Sequence, residues 1–99
     1  GLLPDHYAPV TPLVVTDNVE MYRYSSSAGK LLFSGSGEGF SGPTLVLSES
    51  GDVREAAVKL YHAIQLLDTM ELDLIVAEPA PNHGLGRAVN DRLKKASRK

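Results

Sequence analysis

Asp52-Val53-Arg54-Glu55-Ala56-Ala57-Val58-Lys59-Leu60-Tyr61-His62-Ala63-Ile64-Gln65-Leu66-Leu67, followed by Leu74-Ile75-Val76-Ala77, decides the fold of this chain. Val53, Ala56, Ala57, Leu60, Tyr61, Ile64 and Leu67 recur at helical spacing and form one apolar face. Asp52 stands just before them with Glu55 three residues on, the spacing of a capping box. Leu74–Ala77 has no such period. It is a short continuous apolar run of the kind found in strands buried on both faces, and it stops at Glu78-Pro79.

Working outward, a second helix is expected from about Leu85 to Ser97, with Leu85, Val89, Leu93 and Ala96 facing inward. Upstream, Thr44-Leu45-Val46-Leu47, Leu31-Leu32-Phe33 and Leu13-Val14-Val15-Thr16 are three further strand candidates. Asp17 and Glu20 repeat the capping-box spacing, which predicts a short helix over roughly Asn18–Tyr24, ended by Ser25-Ser26-Ser27. Gly35 to Pro43 is a glycine-rich loop. Gly1 to Pro12 carries three prolines and no apolar period, so it reads as an extended linker arm outside the core.

The resulting order is strand, helix, strand, strand, helix, strand, helix. Apolar strands separated by helices predict a small Rossmann-like α/β sandwich of three layers, with a mainly parallel sheet of about four strands. Residues 1–12 form the linker and residues 13–99 the domain. At 99 residues and 42% hydrophobic, the chain has material for one core.

Composition narrows the function classes. There is no cysteine, which excludes a disulfide framework, a thiolate metal site and a cysteine nucleophile. No apolar run is long enough to span a bilayer and no signal-peptide pattern opens the chain, so a soluble cytoplasmic protein without membrane contact is expected. The net charge of −2 conceals an asymmetry: residues 1–86 hold eleven acids and four bases, whereas residues 87–99 hold six bases and Asp91 alone. Such a tail complements a helix dipole, or attracts the phosphates of a nucleic acid. No aromatic residues interleave with these bases to act as stacking platforms.

Gly37-Glu38-Gly39-Phe40-Ser41-Gly42 spells the dinucleotide spacing, but Pro43 and a β-branched run follow where the mechanism requires a helix. The loops after two strands nevertheless offer a candidate crevice for a nucleotide or other small ligand. Its residues are Gly35, Gly37 and Gly39 on one side and Glu78, Asn82 and Gly84 on the other. His62 has no second ligand at helical spacing, so no metal site is expected, and His83 sits in a turn. Asp68, Glu71 and Asp73 read as solvated carboxylates rather than an acid–base pair, and no serine occupies a nucleophile elbow. No catalytic residue is expected.

Several segments resemble, in order, the C-terminal part of long-form threonylcarbamoyl-AMP synthases, the family whose N-terminal catalytic domain is of the YrdC type. Gly1-Leu2-Leu3-Pro4, His6-Tyr7-Ala8-Pro9 and Pro12-Leu13 are similar to its interdomain linker, with Leu2 where the family usually has methionine. Asp52–Ala57, Leu67-Asp68, Ala77-Glu78-Pro79 and Gly84–Leu93 resemble its C-terminal domain. The resemblance implies an accessory domain taken from a longer chain. The family makes threonylcarbamoyl-adenylate from threonine, bicarbonate and ATP for the threonylcarbamoyladenosine modification of tRNA. That nucleotidyltransferase chemistry, with its ATP and magnesium, belongs to the N-terminal domain, the expected partner. This segment brings no cofactor of its own and is not expected to be catalytic alone. The resemblance also implies that His6 and Tyr7 close over the catalytic cleft. A stand-alone nucleotide-, tRNA- or protein-binding module is the alternative.

Overall fold

A computed structural model describes residues 8–97 of the chain. Four strands, β1 (Leu13–Val15), β2 (Ala28–Leu32), β3 (Thr44–Val46) and β4 (Leu74–Ala77), form one sheet in the order β1-β4-β2-β3. Every pairing is parallel, with Leu13 opposite Ile75, Gly29 opposite Ile75 and Leu31 opposite Leu45. Two helices follow the second half of the sheet, α1 (Val53–Asp68) and α2 (Leu85–Ala96). The α/β architecture and the parallel four-stranded sheet agree with the sequence.

The two faces of the sheet are covered unequally. Both α-helices pack on one face, where Leu13, Leu31, Phe33, Leu47 and Ile75 meet Leu60, Ile64 and Leu67 of α1 and Val89 and Leu93 of α2. The other face buries Ala28, Leu32 and Val76 beneath Val19, Tyr22 and Phe40. Its cover is a single 3-10 turn, Val19–Tyr22, together with the glycine loop. The helix expected over 18–24 is therefore reduced to this turn. The Glu20 carboxylate that should close a capping box instead holds Arg23, and Asn18 makes no side-chain cap.

The capping box on α1 is also only half made. Asp52 Oδ1 accepts the N–H groups of Arg54 (2.9 Å) and Glu55 (3.4 Å), satisfying two donors of the first turn. Glu55 does not reach back. Its carboxylate takes Lys59, one helical turn on, and the Asp52 N–H donates to Ser48 Oγ at 2.8 Å. On α2 the inward stripe starts one residue later than its period suggests. Gly86 is buried while Leu85 is 41% exposed, because the helix passes so close to the Pro81 carbonyl that a Cβ at residue 86 would overlap it. His62 is exposed on α1.

Parallel neighbours normally need a long crossover, yet β2 and β3 are joined only by residues 33–43. The glycines make that short return feasible. Gly42 has φ of 78°, and a Cβ there would stand 2.6 Å from the Ser26 carbonyl oxygen. The loop runs straight into β3, so its glycine spacing serves a backbone reversal and opens no helix toward a pyrophosphate.

One charge lies inside. Ala28, Lys30 and Leu32 share the second face of β2, and Lys30 is fully buried there. Its Nζ donates to the carbonyl oxygens of Ser25 (2.5 Å) and Ser41 (2.7 Å), tying the end of the 3-10 turn to the end of the glycine loop. Burial pushes its ammonium below the usual lysine pKa.

Candidate functional site

The carboxyl ends of β2 and β4 are neighbours, and the chain leaves them in opposite directions. From β2 it turns into the glycine loop toward β3, and from β4 it turns into α2. Adjacent strands whose connections diverge leave a crevice between them, the place where open α/β sheets hold ligands. A crevice of about 290 Å³ lies there. Gly35 and Gly37 line one side, Glu78 lines the other, and Val19, Leu32 and Phe40 form apolar walls. Two loops that are far apart in sequence thus share one edge.

Glu78 joins those two sides. It continues β4 by donating its N–H to Leu31 O at 2.8 Å, and its Oε1 accepts the Phe33 N–H at 2.8 Å. The carboxylate is thereby committed in part to holding the strand ends together. Gly39 lies outside the crevice lining but against the Arg23 guanidinium, so it borders the site indirectly. Asn82 and Gly84 are not brought in. Both are exposed in the turn before α2, where Gly84 takes φ of 57° to start the helix. His6 and Tyr7 lie outside the described residues.

Arg23 is a crevice residue that sequence reasoning missed. Its Nε and Nη2 pair with both carboxylate oxygens of Glu20 at 2.7 Å, and its guanidinium lies 4.3 Å above the Phe40 ring. The hydrogen bond to Glu20 raises the Arg23 pKa, and the same bond lowers that of Glu20. The Arg23–Glu20 spacing of three residues was legible as a local ion pair. The Phe40 contact was not, because it depends on how the loop folds back. With Arg23 occupied, the crevice presents Glu38 and Glu78 carboxylates, a poor environment for a polyphosphate.

The other end of the sheet holds the arm. Pro9 and Thr11 are buried, the Pro12 carbonyl accepts the Ile75 N–H at 2.8 Å, and Asp68 accepts the N–H groups of Val10 and Thr11. The last residues of the arm therefore pack onto the domain, although the sequence suggested an arm free of the core. Asp68 is committed to this contact, while Glu71 and Asp73 are exposed. The arm enters beside the amino ends of the strands, and the crevice opens at their carboxyl ends. No group of three His, Asp or Glu side chains suited to a metal occurs among the described residues. No helix among them is long and apolar enough to cross a membrane.

Comparison with known proteins agrees with this geometry. The family described as "Threonylcarbamoyl-AMP synthase, C-terminal domain" matches residues 1–98. The threonylcarbamoyl-AMP synthase of Pyrococcus abyssi (strain GE5 / Orsay) is 29% identical over 98% of this chain and 31% of its own length. That of Bacillus subtilis (strain 168) is 27% identical over the same shares. A crystal structure of P. abyssi Sua5 complexed with L-threonine superposes with a TM-score of 0.74 at 30% identity, covering 93% of this chain and 29% of that one. The chain thus spans about a third of the length of these relatives. With its parallel sheet, paired helices and anchored arm, it belongs to the family of threonylcarbamoyl-AMP synthase C-terminal domains.

Proposed function

We propose that this chain is the accessory domain of a threonylcarbamoyl-AMP synthase, and that it holds a linker over the catalytic cleft of an N-terminal domain. The observation that carries this reading is the arm. In a family member that spans about a third of its relatives, the segment that would lead to the proposed N-terminal domain is hydrogen-bonded to the domain at residues 10–12. A rigid base for a covering segment suits an acyl-adenylate, whose hydrolysis a closed cleft would slow. In this proposal the N-terminal domain binds ATP, magnesium and threonine, and His6 and Tyr7 close on the bound nucleotide or adenylate. The adenylate then serves tRNA modification in the cytoplasm.

The test is formation of threonylcarbamoyl-AMP from ATP, threonine and bicarbonate. It compares the full-length protein, its N-terminal part cut before Gly1, and this chain alone. A silent chain, an active whole and an impaired N-terminal part support the proposal. Activity in this chain alone, or an N-terminal part as active as the whole, refutes it.

A second reading, a small ligand at the strand-end crevice, is supported by the placement of Gly35, Gly37 and Glu78 around one opening. Melting of this chain with and without AMP or adenosine tests it, since a ligand bound only by the folded state raises the midpoint by an amount that grows with the logarithm of its concentration above Kd. Binding of tRNA through α2 would instead weaken steeply with salt.

A further inference from the structure

We infer that Asp68 is the positioning residue of the linker arm. Its Oδ1 accepts the Thr11 N–H at 2.9 Å and its Oδ2 the Val10 N–H at 3.2 Å, across 57 and 58 residues of chain. Both carboxylate oxygens are thus spent on consecutive backbone amides of one extended segment. Val10 itself is 85% exposed, so it is the backbone and not the side chain that is held there. Pro9, fully buried with its backbone angle φ restricted by its ring, sets the next residue toward the N-terminus. Ile75 N–H, bonded to the Pro12 carbonyl, fixes the other side. Four consecutive residues, Pro9 to Pro12, are therefore held in place. Asp68 is the last residue of α1, so the rigid helix carries the clamp.

This inference rests on the reading of the arm as a cover for a catalytic cleft, and the experiment separates the two. Amide exchange of Val10 and Thr11 is measured in this chain for the native sequence, Asp68→Asn and Asp68→Ala. Ile75 and the α1 amides serve as internal controls for folding. Loss of a charged acceptor speeds exchange at both amides by roughly ten- to a hundredfold in Asp68→Ala, and less in Asp68→Asn, which keeps one carbonyl acceptor. Unchanged exchange at residues 10 and 11 overturns the clamp. So does a rise spread evenly over the whole domain. The same variants in the full-length protein then report on the cover. Faster hydrolysis of threonylcarbamoyl-AMP, with KM for threonine and ATP little changed, supports both inferences. Faster exchange with an unaltered adenylate lifetime leaves the clamp standing and overturns the cover.

Discussion

Asn90 on α2 bonds both polar groups of Ala80: its Oδ1 accepts the Ala80 N–H at 2.8 Å and its Nδ2 donates to the Ala80 carbonyl at 2.9 Å. A single side chain thus completes the backbone bonding of the buried Ala80 and fixes α2 against the exit of β4.

Asn90→Ala removes two hydrogen bonds and leaves a buried amide and carbonyl without partners. A loss of about 2 kcal/mol is expected, lowering the melting midpoint by about 8–16 °C. Asn90→Asp should not rescue it near neutral pH, because a carboxylate oxygen would then face the Ala80 carbonyl. Denaturant and thermal melts of both variants check this.

Gly84 and Gly86 flank Leu85 but fail differently when given a side chain. At Gly84 there is open space around a new Cβ, so alanine costs only backbone strain, but φ of 57° with ψ of −136° is close to glycine-only territory and that strain is about 2–3 kcal/mol. At Gly86 a Cβ runs into the Pro81 carbonyl, which is backbone and cannot rotate away. Gly86→Ala is expected to cost about 3 kcal/mol or to move the start of α2. A Gly86→Ala midpoint equal to that of the native chain would contradict the close approach.

Asp52 caps α1 through the N–H groups of Arg54 and Glu55. Asp52→Ala is expected to cost about 1 kcal/mol, while Asp52→Asn keeps most of the cap. Glu55→Gln should leave the cap intact, because Glu55 pairs with Lys59 and not with the Asp52 amide. Urea unfolding of the three variants distinguishes them.

Lys30 gives the domain a pH dependence of defined sign. Burial lowers its folded pKa, so between that value and the unfolded one the unfolded chain binds more protons. The cost of the buried charge is present in full below the folded pKa. It is relieved as pH rises toward the unfolded value of about 10.4. Native protein should therefore gain stability relative to Lys30→Met as pH is raised from 7 toward 10. Comparing the two chains removes the shared contribution of the tyrosines. Parallel curves would mean that Lys30 titrates alike in both states.

Much of the fold was legible because its signals are local. The helical period of Val53–Leu67 and the uninterrupted run Leu74–Ala77 each give an element without reference to the rest of the chain, and both elements appear where expected. The capping spacings were less dependable. Asp17 and Glu20 have the same spacing as Asp52 and Glu55, but Glu20 found Arg23, a stronger local partner, and only a 3-10 turn formed. For the crevice, Gly35, Gly37 and Glu78 were legible as residues following strands, whereas Arg23 and Phe40 came into place only through the return of the loop.

The sequence by itself determined the α/β class, the order of elements and the family, because these rest on periodicity and motifs within short windows. Tertiary structure alone decided that both helices share one face, that Lys30 is buried beneath two loops, and that Asp68 holds the arm. The physical reason is that strand neighbours and carbonyl partners far along the chain are selected by packing. No local pattern encodes which distant backbone group will need a donor or an acceptor.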